Sequence, residues 1–176
     1  MNMFTNKDEF YAAAQKPLQI LNDFLDKYFL TEFVTPDHIG YKCSSSQSFE
    51  EKRKILELES GWLYQTMISD RRITTIKLTK GLETLAGNMS LVELSDQKPD
   101  RSQGEGFDHI EIYPTEPIVN LDYRDLVDYL TEKGLPVNKK ARSRHTTHDI
   151  QLENGFTISV TEQSLVEKIK KEQMQI

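Results

Sequence analysis

The sequence has a single cysteine, Cys43, so it cannot form a disulfide within the chain. It also has no run of about 18 to 20 apolar residues, the length that a membrane-spanning helix needs. The first ten residues, MNMFTNKDEF, contain no apolar segment typical of a secretion signal. These absences predict a cytoplasmic protein with no membrane partner.

Basic residues are scarce relative to acidic ones, with 22 Lys and Arg against 28 Asp and Glu and a net charge of −6. A nucleic-acid-binding protein needs a basic surface to neutralise phosphates, so we expect no nucleic-acid partner. The chain also lacks a phosphate-binding loop, a dinucleotide fingerprint and a nucleophile elbow. Its 176 residues, 37% hydrophobic and 28% charged, are typical of about one globular domain.

Apolar residues recur at helical spacing over residues 8–29. Pro17 lies inside this segment and cannot donate a backbone hydrogen bond, which predicts one broken helix or two short ones. We therefore interpret residues 1–36 as an N-terminal helical extension.

An internal repeat is the most informative feature of the sequence. The tripeptide Asp-His-Ile at residues 37–39 recurs at residues 108–110, and each copy opens an alternating strand pattern. A helix pattern follows each strand. Ser48 is the predicted cap of the first helix, and Asn120 or Asp122 of the second.

A glycine, Gly61 or Gly134, follows each helix pattern, and three candidate strands follow each glycine. The strand candidates are residues 62–68, 73–79 and 89–95, then 137–143, 148–153 and 156–161. Asn154 and Gly155 predict a hairpin between the last two, and Ser164 predicts a capping box before a C-terminal helix. This order predicts an α+β fold of two βαβββ modules, at residues 37–100 and 101–176, in one compact domain.

These segments resemble the vicinal-oxygen-chelate superfamily, the glyoxalase and bleomycin-resistance fold, and more closely its YecM-type branch. The resemblance rests on residues 37–39, 71–78 (RRITTIKL), 91–94 (LVEL) and 105–112 (EGFDHIEI), and it covers most of the chain. It implies two βαβββ modules whose curved sheets enclose a cavity, which in the superfamily commonly holds a divalent metal ion. It also makes a homodimer an expectation, because superfamily sheets often pair across subunits.

By the superfamily's positions, the metal ligands map onto His38, Glu93 and His109. Two imidazoles and one carboxylate suit Zn, Fe, Mn or Ni. The alternative is that each histidine is an ordinary hydrogen-bonded structural residue. Strand alternation places Glu111 on the same face as His109, where it can act as a catalytic base or orient a ligand.

Four further residues are substrate-binding candidates. Thr157 and Ser159 share a polar strand face that either lines a pocket or faces solvent. The superfamily often has a ligating glutamate at the Ser159 position, and its loss weakens the case for glyoxalase-like proton abstraction. Arg71 can hold a carboxylate or phosphate, or is simply solvated. His148 begins another His-Asp-Ile and is either a chance echo or a substrate contact.

The resemblance thus implies a metal-dependent enzyme of the lyase, isomerase or dioxygenase type. Its substrate would be a small, oxygen-rich, anionic molecule bound in the cavity. The alternative is a non-catalytic protein that uses the same cavity to bind or sequester a small ligand.

Overall fold

A computed structural model describes residues 4–115, 123–141 and 146–174 of the chain. The predicted caps Asn120 and Asp122 lie outside the described residues. The elements of the described part are α1 (Lys7–Lys27), β1 (Val34–Lys42), α2 (Ser46–Glu57), β2 (Ser60–Ile68), β3 (Arg71–Thr84), β4 (Gly87–Ser95), β5 (Gly106–Pro114), α3 (Tyr123–Glu132), β6 (Val137–Ala141), β7 (Thr146–Gln151), β8 (Thr157–Val160) and α4 (Leu165–Gln173).

The strands form one eight-stranded sheet in the order β2-β3-β4-β1-β5-β8-β7-β6. Within each half, the first strand pairs parallel with the last, β1 with β4 and β5 with β8. The two halves join through the antiparallel pair β1–β5 at the centre of the sheet. The predicted α+β fold with two βαβββ modules is therefore confirmed, while the exact module boundaries stay predictions.

The N-terminal helix is continuous, so the predicted break at Pro17 is wrong. Asn6 caps the helix by accepting a hydrogen bond from the Glu9 backbone N–H at 3.0 Å. Pro17 lies on the buried face together with Phe10 and Leu21. Burial of this apolar face against β3 and β5 offsets the loss of one backbone hydrogen bond at the proline.

Two of the predicted helix signals lie elsewhere than expected. Ser45, not Ser48, caps α2 and accepts from the Ser48 backbone N–H at 3.0 Å. Consecutive serines offer equivalent caps, so the spacing of the sequence alone does not choose between them. Gly61 lies within β2, whereas Gly134 follows α3 with a φ of 80° as predicted. The capping box at Ser164 is confirmed.

Alternation along the strands divides the sheet into an apolar face and a polar face. The apolar residues pack with α1, α2 and α3 in the main core. The buried thiol of Cys43 belongs to this core, and burial raises its pKa to about 12. On the central strands the core residues are Val92, Leu94, Ile110, Ile112, Ile158 and Val160, and the polar residues between or beside them are Glu93, Ser95, His109, Glu111, Thr157 and Ser159.

None of the helices in the described ranges is long and apolar enough to cross a membrane.

Candidate functional site

The polar face of the sheet lines a cavity of about 320 Å³. Strands of both modules contribute to it, which places residues from distant parts of the sequence around one space. Six of the residues singled out in the sequence line this cavity: Arg71, Glu93, His109, Glu111, Thr157 and Ser159.

The three predicted metal ligands converge. His38 on β1, Glu93 on β4 and His109 on β5 each offer one ligand atom, and these atoms lie within 4.8 Å of one another. The strands bring them together because β1 lies between β4 and β5 in the sheet. The two imidazole rings are 5.5 Å apart, centroid to centroid, and perpendicular. Such a cluster can hold a divalent metal ion.

The aspartate of each Asp-His-Ile repeat orients the histidine that follows it. The Nδ1 atoms lie 2.8 Å from the Asp37 carboxylate in His38 and 2.9 Å from the Asp108 carboxylate in His109. Because a carboxylate only accepts, we assign each Nδ1–H as the donor. This tautomer makes Nε2 the nitrogen with the lone pair, as in carboxylate–histidine–metal arrangements. Neither aspartate was predicted from the sequence to belong to the site.

The Nε2 atom of His38 is buried and has no hydrogen-bond partner among the described residues. Buried polar atoms are rarely left in this state, because desolvation without a hydrogen bond costs free energy. His38 is a member of the cluster with Glu93 and His109, and its Nδ1 is held by Asp37, so Nε2 is the nitrogen left to bind an ion. The donor set and the unpartnered atom both fit a metal ion.

Gly40 gives the His109 ring its space. The two residues are cross-strand partners in β1 and β5. A Cβ atom built on Gly40 would lie 2.0 Å from Cε1 and 2.3 Å from Nδ1 of His109, far inside van der Waals contact. The backbone of β1 therefore has to approach this imidazole without a side chain.

The acidic surroundings raise the pKa of both histidines. Burial lowers the pKa of His109, but the charge and hydrogen bond of Asp108 and the charge of Glu93 outweigh it and raise the pKa to about 9. At His38, burial also lowers the pKa, and the charge of Glu111 leads the contributions that raise it overall. The site thus attracts positive charge, which a metal ion would supply in place of protons.

The C-terminal helix packs against the back of this cluster. The Nζ atom of Lys168 on α4 lies 3.1 Å from Oε2 of Glu111, and both side chains are buried. At the start of α4, the Leu165 backbone N–H donates to the Asp37 carboxylate at 2.9 Å. The predicted base Glu111 therefore forms a buried ion pair while it faces the cavity.

A carboxylate that the sequence analysis missed lies beside Ser159. Asp149 on β7 lines the cavity and accepts hydrogen bonds from the hydroxyls of Ser159 at 2.9 Å and Thr147 at 2.8 Å. His148, the adjacent residue, is not among the cavity-lining residues and shares a hydrogen bond with the hydroxyl of Tyr123. Neighbours in a strand face opposite sides, so alternation along β7 separates Asp149 from His148, and the pairing of β7 with β8 places Asp149 beside Ser159.

The adjacent arginines of β3 have different environments. Arg71 lines the cavity and donates to the side-chain amide oxygen of Gln103. Arg72 forms ion pairs with Glu50 and with Asp96, the latter at 2.7 Å. Only Arg71 is therefore directed to the cavity of the candidate site.

Comparison with known proteins identifies relatives over nearly the whole chain. The sequence profile of the YecM protein family matches residues 6–175. Protein YecM of Escherichia coli (strain K12) is 32% identical over 133 residues, which cover 73% of this chain and 69% of that protein.

Solved structures share the fold. The structural-genomics protein EC4020 aligns with a TM-score of 0.68 and 25% identity, covering 98% of this chain and 100% of that chain. The hydroxyglutarate synthase from Oryza sativa, solved with 2-oxoadipate, aligns with a TM-score of 0.53 and 8% identity, covering 92% and 82%. The chain therefore belongs to the YecM family, as the resemblance of its motifs predicted.

Proposed function

We propose that the protein binds a divalent metal ion through His38, Glu93 and His109 and acts on a small oxygen-rich anion in the adjoining cavity. The reaction would be of the lyase, isomerase or dioxygenase type. The observation that carries the proposal is the buried, unpartnered Nε2 of His38 inside a cluster of three potential ligands.

The donor set favours Zn, Fe, Mn or Ni among divalent ions. When bound, such an ion supplies Lewis-acid chemistry that polarises oxygen atoms next to the reacting carbon. Asp37 and Asp108 would hold the two imidazoles in the tautomer and orientation that this binding needs.

Other side chains of the cavity have roles that follow from their chemistry. Glu111 would accept a proton from the substrate, since its carboxylate faces the cavity beside His109. The hydroxyls of Thr157 and Ser159 would hydrogen-bond substrate oxygens, and Arg71 would hold an acidic group. His148 has no such role in this proposal, because it lies outside the cavity lining.

Metal analysis of protein purified without a polyhistidine tag tests the proposal. We expect about one ion per chain, either as purified or after reconstitution with Zn, Fe, Mn or Ni, because three ligands converge on one point. Binding only to the folded state should also raise the melting temperature. Protein that takes up none of the four ions and melts unchanged in their presence would contradict the proposal.

A second candidate is sequestration of the same ligand without turnover. It is favoured by Ser159, which stands where the superfamily often has a glutamate, and by the ion pair that engages Glu111 with Lys168. Incubating metal-loaded protein with candidate anions and following them by NMR separates the two. A new product supports the enzyme, and a saturable melting shift without product supports sequestration.

The orienting aspartates provide a further prediction. Replacing Asp108 with asparagine should weaken metal binding about 10- to 100-fold, because a neutral amide makes the imidazole a poorer ligand. Asp37→Asn should act in the same direction at His38. The matched control is Asp23→Asn on the exposed face of α1, which should bind metal like the wild type. Competition with a coloured chelator measures the affinities, and wild-type affinity in both test variants would show that the aspartates are not needed.

A further inference from the structure

A second cavity of about 800 Å³ adjoins the candidate site. It lies beside the start of α2, and its lining includes Arg72 and Arg101. Arg71 and Lys98 line both cavities, so a molecule that extends from one into the other passes these two cations. Arg71 and Lys98 therefore mark the boundary that a ligand longer than the first cavity would reach.

We infer that the ligand is an elongated molecule with an acid group at each end. One end, an acid group with an adjacent oxygen, would lie at His38, Glu93 and His109. A second acid group, a carboxylate or a phosphate, would be held by Arg71 and Lys98 where the cavities meet. This inference rests on the proposed function for the first end, and the second end adds the substrate class.

The charges inside the first cavity favour binding of the second acid group at the junction, which is the boundary of the two cavities lined by Arg71 and Lys98. The carboxylates of Asp108 and Glu111 already have ammonium partners, with Lys42 at 2.5 Å and Lys168 at 3.1 Å. Glu93 adds a further carboxylate to the lining. A second anionic group would be repelled deeper in the cavity and attracted toward the cations at its edge.

Arg71 and Lys98 are suited to this role because no carboxylate of the described residues forms a close ion pair with either of them. In the part of the chain that the structure describes, neither forms an ion pair with a carboxylate; Arg71 donates to the neutral amide of Gln103, and Lys98 attracts the exposed Asp100 only at longer range. Arg72 differs, since it is paired with Asp96 and lies 4.4 Å over the ring of Phe49. A planar guanidinium binds carboxylate and phosphate groups with paired hydrogen bonds, so Arg71 is the main anchor.

Matched pairs of probe anions test the inference by calorimetry on Zn²⁺-loaded protein. The carboxylate pair is 2-oxoadipate and 2-oxohexanoate, which differ in the distal acid group. The phosphate pair is 3-phosphoglycerate and glycerate, and oxalate probes the metal end alone. We expect the two-acid member of at least one pair to bind about tenfold tighter than its one-acid partner, as one charge-assisted contact allows. The pair with the larger ratio identifies the distal group.

Substitutions then assign the preference to the junction. Arg71→Gln should reduce the ratio within the preferred pair to near one, and Lys98→Gln should reduce it by a few fold. Arg53→Gln, which lies on α2 and lines neither cavity, is the control and should keep the wild-type ratio. Melting curves check that each variant is folded.

The result separates this inference from the proposed function. If zinc and oxalate bind but neither 2-oxoadipate nor 3-phosphoglycerate is preferred over its one-acid partner, or if Arg71→Gln keeps the preference, the inference is wrong and the metal site stands. If none of Zn, Fe, Mn and Ni binds, and oxalate binds in the presence of none of them, the proposed function fails. The same titrations on the metal-free protein then decide the inference. A preference for the two-acid ligand that Arg71→Gln removes supports it. The absence of such a preference, or a preference that Arg71→Gln leaves unchanged, overturns it.

Discussion

Replacing His38 with alanine should abolish stoichiometric metal binding. Removing one of three ligands should lower the metal affinity by more than the roughly 100-fold that loss of an orienting partner can cost. Alanine also removes the buried nitrogen that has no hydrogen-bond partner among the described residues. Elemental analysis and chelator competition on the purified variant measure the loss.

Two further variants make this test decisive. Glu93→Gln keeps the volume of the side chain and removes its charge, so we expect a folded protein that also loses metal. His148→Ala removes an imidazole that is not among the cavity-lining residues and should keep about one ion per chain. If His38→Ala and Glu93→Gln both retained wild-type metal content, the ion would have to bind elsewhere, and the proposed site would be wrong.

Gly40→Ala should damage both the site and the fold. The added methyl group would lie 2.0 Å from Cε1 of His109, so the imidazole has to turn away from its hydrogen bond with Asp108. Overpacking of this kind lowers the free energy of unfolding by about 1–3 kcal/mol. Metal affinity should fall with it, because the displaced ring no longer points toward His38 and Glu93. Denaturant unfolding and metal titration measure the two effects separately.

Gly61→Ala is the matched control. Gly61 also lies in a strand, has no atom within 4 Å of an added Cβ, and has no positive φ. Its alanine variant should unfold within about 0.5 kcal/mol of the wild type and bind metal normally. A Gly40→Ala protein as stable as Gly61→Ala, with unchanged metal affinity, would show that the strand adjusts and that this close approach is not required.

Local features of the structure were predicted well from the sequence where one signal was dominant. Alternating patterns placed strands close to their observed positions, and the capping box at Ser164 lies where it was expected. Where two sequence signals competed, packing determined which structure formed. Pro17 does not break α1, because its helix face is buried against the sheet, and Ser45 caps α2 in place of Ser48.

The candidate site was only partly predictable for a related reason. The repeated Asp-His-Ile marked both histidines, and the family resemblance supplied Glu93. Lys168 could not be inferred as the partner of Glu111, because the two are far apart in the sequence and meet only when α4 packs on the sheet. Asp149 was overlooked because its importance depends on which strand lies beside Ser159.

By itself, the sequence determined which residues alternate onto the same strand face and that the chain consists of two similar modules. These properties follow from the period of the backbone and from short-range propensity. Only the tertiary structure decided which strands are neighbours. Placing β1 between β4 and β5 brings His38, Glu93 and His109 together, and the same pairing requires glycine at position 40. Strand pairing depends on contacts between segments distant in sequence, so no local pattern specifies it.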